Sequence, residues 1–166
     1  SDDVIEMEKM LNEYLQFSSN RSNEKSEIFD ISKLIMETVN KYESKKILFD
    51  HEDEILFSGR KDLIRRSLNN FIDNSLKYGD KIIINSKKSA NNIVITIDDN
   101  GPGIPKEERE NVFKPFYKID KSRGDSKSSV GLGMSIASDM IQSHGGSIKL
   151  EDSSLGGLRV KVFLPF

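Results

Sequence analysis

The feature that most constrains this chain is an amphipathic helix that runs straight into a β-hairpin. Over residues 60–78, Leu63, Ile64, Leu68, Phe71, Ile72 and Leu76 recur at helical spacing, and Gly79 follows as a stop signal. Two β-branched runs come next, KIIINSKKS and NIVITIDD, separated by the polar turn ANN. A long helix with one apolar face beside strands rich in isoleucine predicts a helix layer stacked on a sheet.

The flanking segments extend that plan. Residues 27–29 predict a short strand, and Asp30 or Ser32 is placed to cap a helix reaching about Tyr42, with Ile31, Leu34, Ile35, Val39 and Tyr42 inward. KILFD and EILFS read as two short strands around the acidic turn HEDE. PKEERENVF has proline at a first helical turn and acids near the N-terminal dipole. GLGMSIASDMIQSHGG predicts a helix that opens and stops on glycines; SIKLEDS and LRVKVFLPF are the last two strands, with SLGG in the turn. The fold class expected is α+β, a two-layer sandwich with a mixed sheet and helices on one face, preceded by a partial helix. Residues 2–17 supply that helix: Val4, Met7, Leu11, Tyr14 and Leu15 form a narrow stripe suited to a partner helix or, alternatively, to the chain's own domain. The organisation expected is a helix over 1–20, a polar linker over 21–26 and a globular domain over 27–166.

Composition narrows the function. A length of 166 residues suits one domain with a short appendage, and a net charge of −2 argues against a general nucleic-acid binder. The chain has no cysteine, which excludes a disulfide scaffold and a cysteine-based zinc site. No run approaches the roughly 18 apolar residues of a membrane span, and the opening SDDVIEMEKM has no signal-peptide pattern, so a soluble piece is expected.

Three constellations carry chemistry. In NNFIDNSLKYG, Asn70, Asn74, Lys77 and Tyr78 share one side of the helix. Asparagine is a poor interior helix former, so the pair is either a solvated face or a set of amide oxygens for a hard cation such as Mg²⁺, with Lys77 in reach of a phosphate. In DDNGPGIP, the acid pair ends an apolar strand, and Gly101 and Gly103 allow a tight turn and close backbone approach. Asp99 or Asp98 there could accept a hydrogen bond from an exocyclic amine such as that of adenine; an ordinary Asx–Gly turn is the alternative. The stretch is neither a Walker loop nor a Rossmann fingerprint. In SSVGLGMSI, a glycine turn opens a helix, which makes either an anion site or a helix packed closely on a sheet. The run 114–130 between them is basic and suits a polyphosphate, with Phe113, Phe116 and Tyr117 anchoring its base or simply filling the core.

Taken in order, an Asn-bearing helix, a D-x-G-x-G turn after a hairpin strand, a phenylalanine pair and a G-x-G helix start resemble the ATP-binding domain of sensor histidine kinases. That fold is shared with the gyrase, Hsp90 and MutL ATPases. The resemblance covers about 27–166, and GGLRVKVFLP looks like the family's closing strand. It implies ATP and Mg²⁺ as cofactors. Asn74 would ligate Mg²⁺, and Asn70, near the γ-phosphate, would be catalytic. Asp99 would bind the adenine amino group, with Gly101 and Gly103 admitting the backbone to the nucleotide. Lys77 and Tyr78 would contact phosphates and base or ribose. Gly131, Leu132 and Gly133 would wrap the phosphates, and the ATP lid would contribute Lys118 and Arg123. Ile104, Tyr117 and Met134 complete the implied ATP-binding set. Ser129 stands where the family usually has glycine, and its Cβ makes positive φ costly.

The resemblance also implies partners. Residues 2–17 look like the end of the second helix of a dimerisation and phosphoacceptor hairpin, which implies a homodimeric parent, a histidine acceptor on that hairpin, a response regulator receiver domain, a cytoplasmic location and no nucleic acid. Neither histidine of this chain fits the acceptor. His51 reads as a turn residue between two short strands, and His144 as a residue at a helix end where a cation suits the dipole. The alternative is a stand-alone ATP-binding serine kinase or an ATPase of the same superfold.

Overall fold

A computed structural model of the chain describes residues 24–43, 46–51, 53–117 and 133–166, together with residues 2, 4, 5, 7–9, 11, 12 and 15. The lid residues Lys118, Arg123 and Ser129, the glycine-turn residues Gly131 and Leu132, Tyr14 of the first helix and half of the expected linker lie outside it. Val4, Met7, Leu11 and Leu15 are helical and exposed.

The globular part follows the order β1 (Glu27–Asp30), α1 (Ile31–Asn40), β2 (Ile47–His51), β3 (Leu56–Gly59), α2 (Lys61–Tyr78), β4 (Ile82–Lys88), β5 (Asn92–Asp99), α3 (Gly133–Gln142), β6 (Ser147–Asp152) and β7 (Leu158–Pro165). Five strands form one mixed sheet in the order β2-β4-β5-β7-β6, parallel between β2 and β4 and antiparallel elsewhere. The two-layer α+β reading therefore holds. β5 is central, and its period-2 alternation sends Ile93, Ile95 and Ile97 into the core while Val94, Thr96 and Asp98 point to the opposite face. Register carries this across the sheet: Ile97 stands beside Ile84 on one side and Val160 on the other.

The helices cover that apolar face. α1 is capped by Asp30, whose carboxylate accepts the N–H of Ser32 at 3.0 Å. It also accepts the N–H of Ile55 at 3.1 Å, so one side chain ties α1 to the start of β3. α2 buries Leu63, Ile64, Leu68, Phe71 and Ile72 and packs beside α3. Each such side chain contributes about 1.5–3 kcal/mol of burial free energy. Gly79 ends α2 in an extended conformation, so its role there is space: a Cβ would lie 3.2 Å from the Cβ of Asp99.

β2 and β3 flank the acidic turn as expected; β3 joins β1 in a separate two-stranded sheet, and β2 lines up with β4. Two local expectations are corrected. His51 is the last residue of β2, stacked on Phe49 at 4.7 Å between ring centroids, rather than a turn residue. PKEERENVF forms two short 3-10 turns, Lys106–Glu108 and Asn111–Phe113, with no continuous helix.

Candidate functional site

The site is built where the C-terminal turn of α2 meets the end of β5. Tyr78, Gly79, Asp99 and Gly101 converge there, and only small residues permit it: a Cβ on Gly101 would lie 2.8 Å from the carbonyl oxygen of Tyr78. Asn100 staples the junction, its Oδ1 accepting the N–H groups of Asp80 at 2.9 Å and Lys81 at 3.1 Å. Gly103 has φ +73°, a left-handed conformation that favours glycine. This DDNGPG turn thus makes use of both glycines, one for contact and one for φ.

Of the two acids, the alternation of β5 selects Asp99. It lies on the helix side of the sheet, 3% exposed, and its Oδ1 accepts the N–H groups of Gly101 at 2.9 Å and Leu158 at 3.1 Å. Asp98, 6% exposed, faces the other side and pairs with Arg159 Nε at 2.8 Å. The backbone carbonyl of Asp99 also accepts the N–H of Gly157 at 3.1 Å.

Along α2, Asn70, Asn74 and Lys77 form a half-buried stripe beside the buried face, and Tyr78 is 48% exposed, with the Lys77 ammonium 5.9 Å from its ring centroid. Among the described residues no three histidine, aspartate or glutamate side chains gather to hold a metal. The Asn74 amide oxygen suits Mg²⁺, which keeps several waters and takes phosphate oxygens as further ligands.

Beyond Gly103 the chain is pinned by Arg109, whose guanidinium donates to the carbonyl of Ile104 at 3.0 Å and to Asp152 at 2.6 Å. Ile104, Phe113 and Tyr117 pack against the core, and the Tyr117 hydroxyl donates to Glu108. Phe116 is not core: it is 51% exposed with φ 64°. Gly133 opens α3, and Met134 points into the core.

His144 corrects its sequence reading. Its Nε2 accepts the N–H of Arg60 at 3.0 Å, which leaves Nδ1 to donate to the carbonyl of Met140 at 2.8 Å. Burial lowers its pKa, opposed in part by the Met140 bond, so the ring is held neutral and is not a dipole-stabilising cation.

Two contributors escaped the sequence reading. Gly157 stands so near Asp99 that a Cβ would lie 2.3 Å from Oδ1. Its only signal is the Gly-Gly pair before the last strand. Arg109 had no local signal, because its partners lie 5 and 43 positions away.

Comparison with known proteins agrees with this fold. The family model described as "Histidine kinase-, DNA gyrase B-, and HSP90-like ATPase" matches residues 59–166. Sensor histidine kinase CpxA of Escherichia coli (strain K12) is 41% identical over 108 residues, 64% of this chain and 24% of CpxA. Signal transduction histidine-protein kinase ArlS of Staphylococcus aureus (strain USA300) is 41% identical over 95 residues, 55% of this chain and 21% of ArlS. The chain thus spans about a quarter or less of the length of these relatives. The catalytic domain of histidine kinase ThkA superimposes with a TM-score of 0.74 at 26% identity, covering 85% of this chain and 95% of ThkA's. The chain belongs to the histidine kinase-, DNA gyrase B- and HSP90-like ATPase family.

Proposed function

We propose that this domain binds Mg·ATP and transfers its γ-phosphoryl group to a histidine on a dimerisation helix of the parent kinase. The observation that carries the reading is Asp99: a carboxylate buried at the end of the central strand, oriented by two backbone N–H groups, where the C-terminal turn of α2 comes close. A fixed acceptor in a dry corner suits the exocyclic amine of adenine, because a mismatched base would leave the buried carboxylate unpaired.

The roles assigned are those the family resemblance implies. Gly101, Gly103 and Ile104 line the approach to the base, and Tyr78, at the exposed end of α2, contacts base or ribose. Lys77 meets phosphate. Asn74 supplies an oxygen to Mg²⁺, which when bound neutralises phosphate charge. Asn70, one turn earlier, orients the γ-phosphoryl. By the family resemblance, Tyr117, Gly133 and Met134, and with them Lys118, Arg123, Gly131 and Leu132 outside the described residues, are assigned to the rest of the ATP-binding set. In the transfer, the bond from γ-phosphorus to the bridging oxygen breaks, a phosphorus–nitrogen bond forms on the imidazole, and ADP leaves. Positioning and charge neutralisation dominate such a step.

A phosphohistidine of this kind is relayed to an aspartate of a response regulator receiver domain, in a cytoplasmic setting and from a homodimeric parent. Membership of the family and the likeness to sensor kinases support this. The test is to supply the domain with a phosphoacceptor helical hairpin and labelled ATP. Acid-labile, base-stable label on the hairpin supports the kinase reading. Binding of ATP with no phosphohistidine, or label on serine, refutes it.

A further inference from the structure

The helix that carries Asn70 and Asn74 lacks a cap of its own. Its N-cap residue, Arg60, makes no side-chain capping bond. Arg60 instead turns its guanidinium onto the end of α3, where Nη2 donates to the carbonyl of Ser143 at 2.9 Å and to its hydroxyl at 2.8 Å. The first turn of any helix leaves backbone donors without intrahelical partners. Here the N–H of Asp62 is taken by Glu24 Oε2 at 2.8 Å, from 38 positions earlier in the chain. The N–H of Arg60 is taken by His144 Nε2 at 3.0 Å. Two donors at the start of α2 are therefore satisfied from outside, one by the segment entering the globular domain and one by the end of α3.

We propose that Glu24 is a positioning residue that couples the segment preceding the globular domain to the two helices framing the nucleotide site. This rests on the reading of that site given above. A carboxylate at a helix N-terminus accepts a charge-assisted bond and complements the dipole, so its withdrawal frays the first turn of α2. The fray reaches Arg60, whose N–H and guanidinium are both committed to α3. α2 carries Asn70, Asn74 and Lys77, while α3 begins at Gly133 on the phosphate side, and the two pack side by side. Displacing Glu24 therefore loosens both walls together, and a shift in the preceding segment becomes a change in nucleotide affinity.

The experiment compares the full chain with Glu24→Ala and Glu24→Gln. Amide hydrogen exchange is followed without nucleotide, and binding of a non-hydrolysable ATP analogue with Mg²⁺ is measured in parallel. Glu24→Ala is expected to speed exchange at residues 62–64 and also at His144 and Gly146, by about fivefold, and to weaken analogue binding by about threefold to tenfold. Glu24→Gln keeps an oxygen acceptor and stays within about twofold of the parent. Faster exchange confined to α2, or Glu24→Ala equal to the parent at the end of α3, overturns the coupling. A parent that binds no nucleotide sinks the ATP reading instead, while the exchange arm still decides the coupling.

Discussion

Gly157 and Asp99 lock the last strand to the acid that ends β5. The N–H of Gly157 donates to the Asp99 carbonyl at 3.1 Å, and a Cβ at Gly157 would lie 2.3 Å from Asp99 Oδ1. The direction of the carboxylate is thus set by the entry to β7 as much as by its own DDNGPG turn.

Gly157→Ala forces the Asp99 carboxylate or the backbone of β7 to move. Overpacking of this kind costs about 1–3 kcal/mol, and nucleotide affinity falls with it. Gly156→Ala is the control: φ is +98° with nothing within 4 Å of an added Cβ. That variant loses about 1 kcal/mol to backbone strain and keeps its affinity. Urea denaturation and nucleotide titration on both variants check the contrast.

Asp98 tests the choice between neighbouring acids. It accepts from Arg159 Nε on the far face of the sheet. Asp98→Asn is expected to cost about 1–2 kcal/mol of stability and to leave nucleotide affinity unchanged. A loss of affinity at unchanged stability would move the base-binding role away from Asp99.

How much of this was legible in the sequence depended on how local the cause was. Asp30 capping α1 is a two-residue event, and the helix 60–78 writes its own periodicity. The choice between Asp98 and Asp99 follows from alternation along β5 only once the core face is known. The partners of β2 and β3, the Gly157 contact and the capping of Asp62 by Glu24 are long-range, and nothing within a short window encodes them. The 106–113 segment misled because proline and acids are also at home in 3-10 turns.

His144 gives the fold a pH dependence. An unfolded histidine titrates near about 6.5, and burial lowers the folded value. The unfolded state therefore binds more protons in the window below about 6.5, so this contribution is full above it and declines as pH falls towards the folded value. The urea midpoint is expected to drop between about pH 7.5 and 5.5, and to drop less in His144→Gln.

Asn74→Ala separates metal from base. In the parent, removing Mg²⁺ with a chelator is expected to weaken ATP binding, and in Asn74→Ala the chelator has less to remove. The variant's loss is about 1–2 kcal/mol with Mg²⁺ present and close to zero without it. An equal loss under both conditions would assign Asn74 to the nucleotide directly.

Calorimetric titration of the chain with a non-hydrolysable ATP analogue and Mg²⁺, beside Asp99→Asn, is the most direct test of the ATP site. Asparagine can keep the oxygen that accepts from Gly101 and Leu158 but presents a donor where adenine needs an acceptor. The expected result is saturable one-to-one binding by the parent and a loss of about 1–3 kcal/mol in Asp99→Asn, with the melting temperature little changed. No heat from the folded parent, or equal affinity in the two proteins, would contradict it.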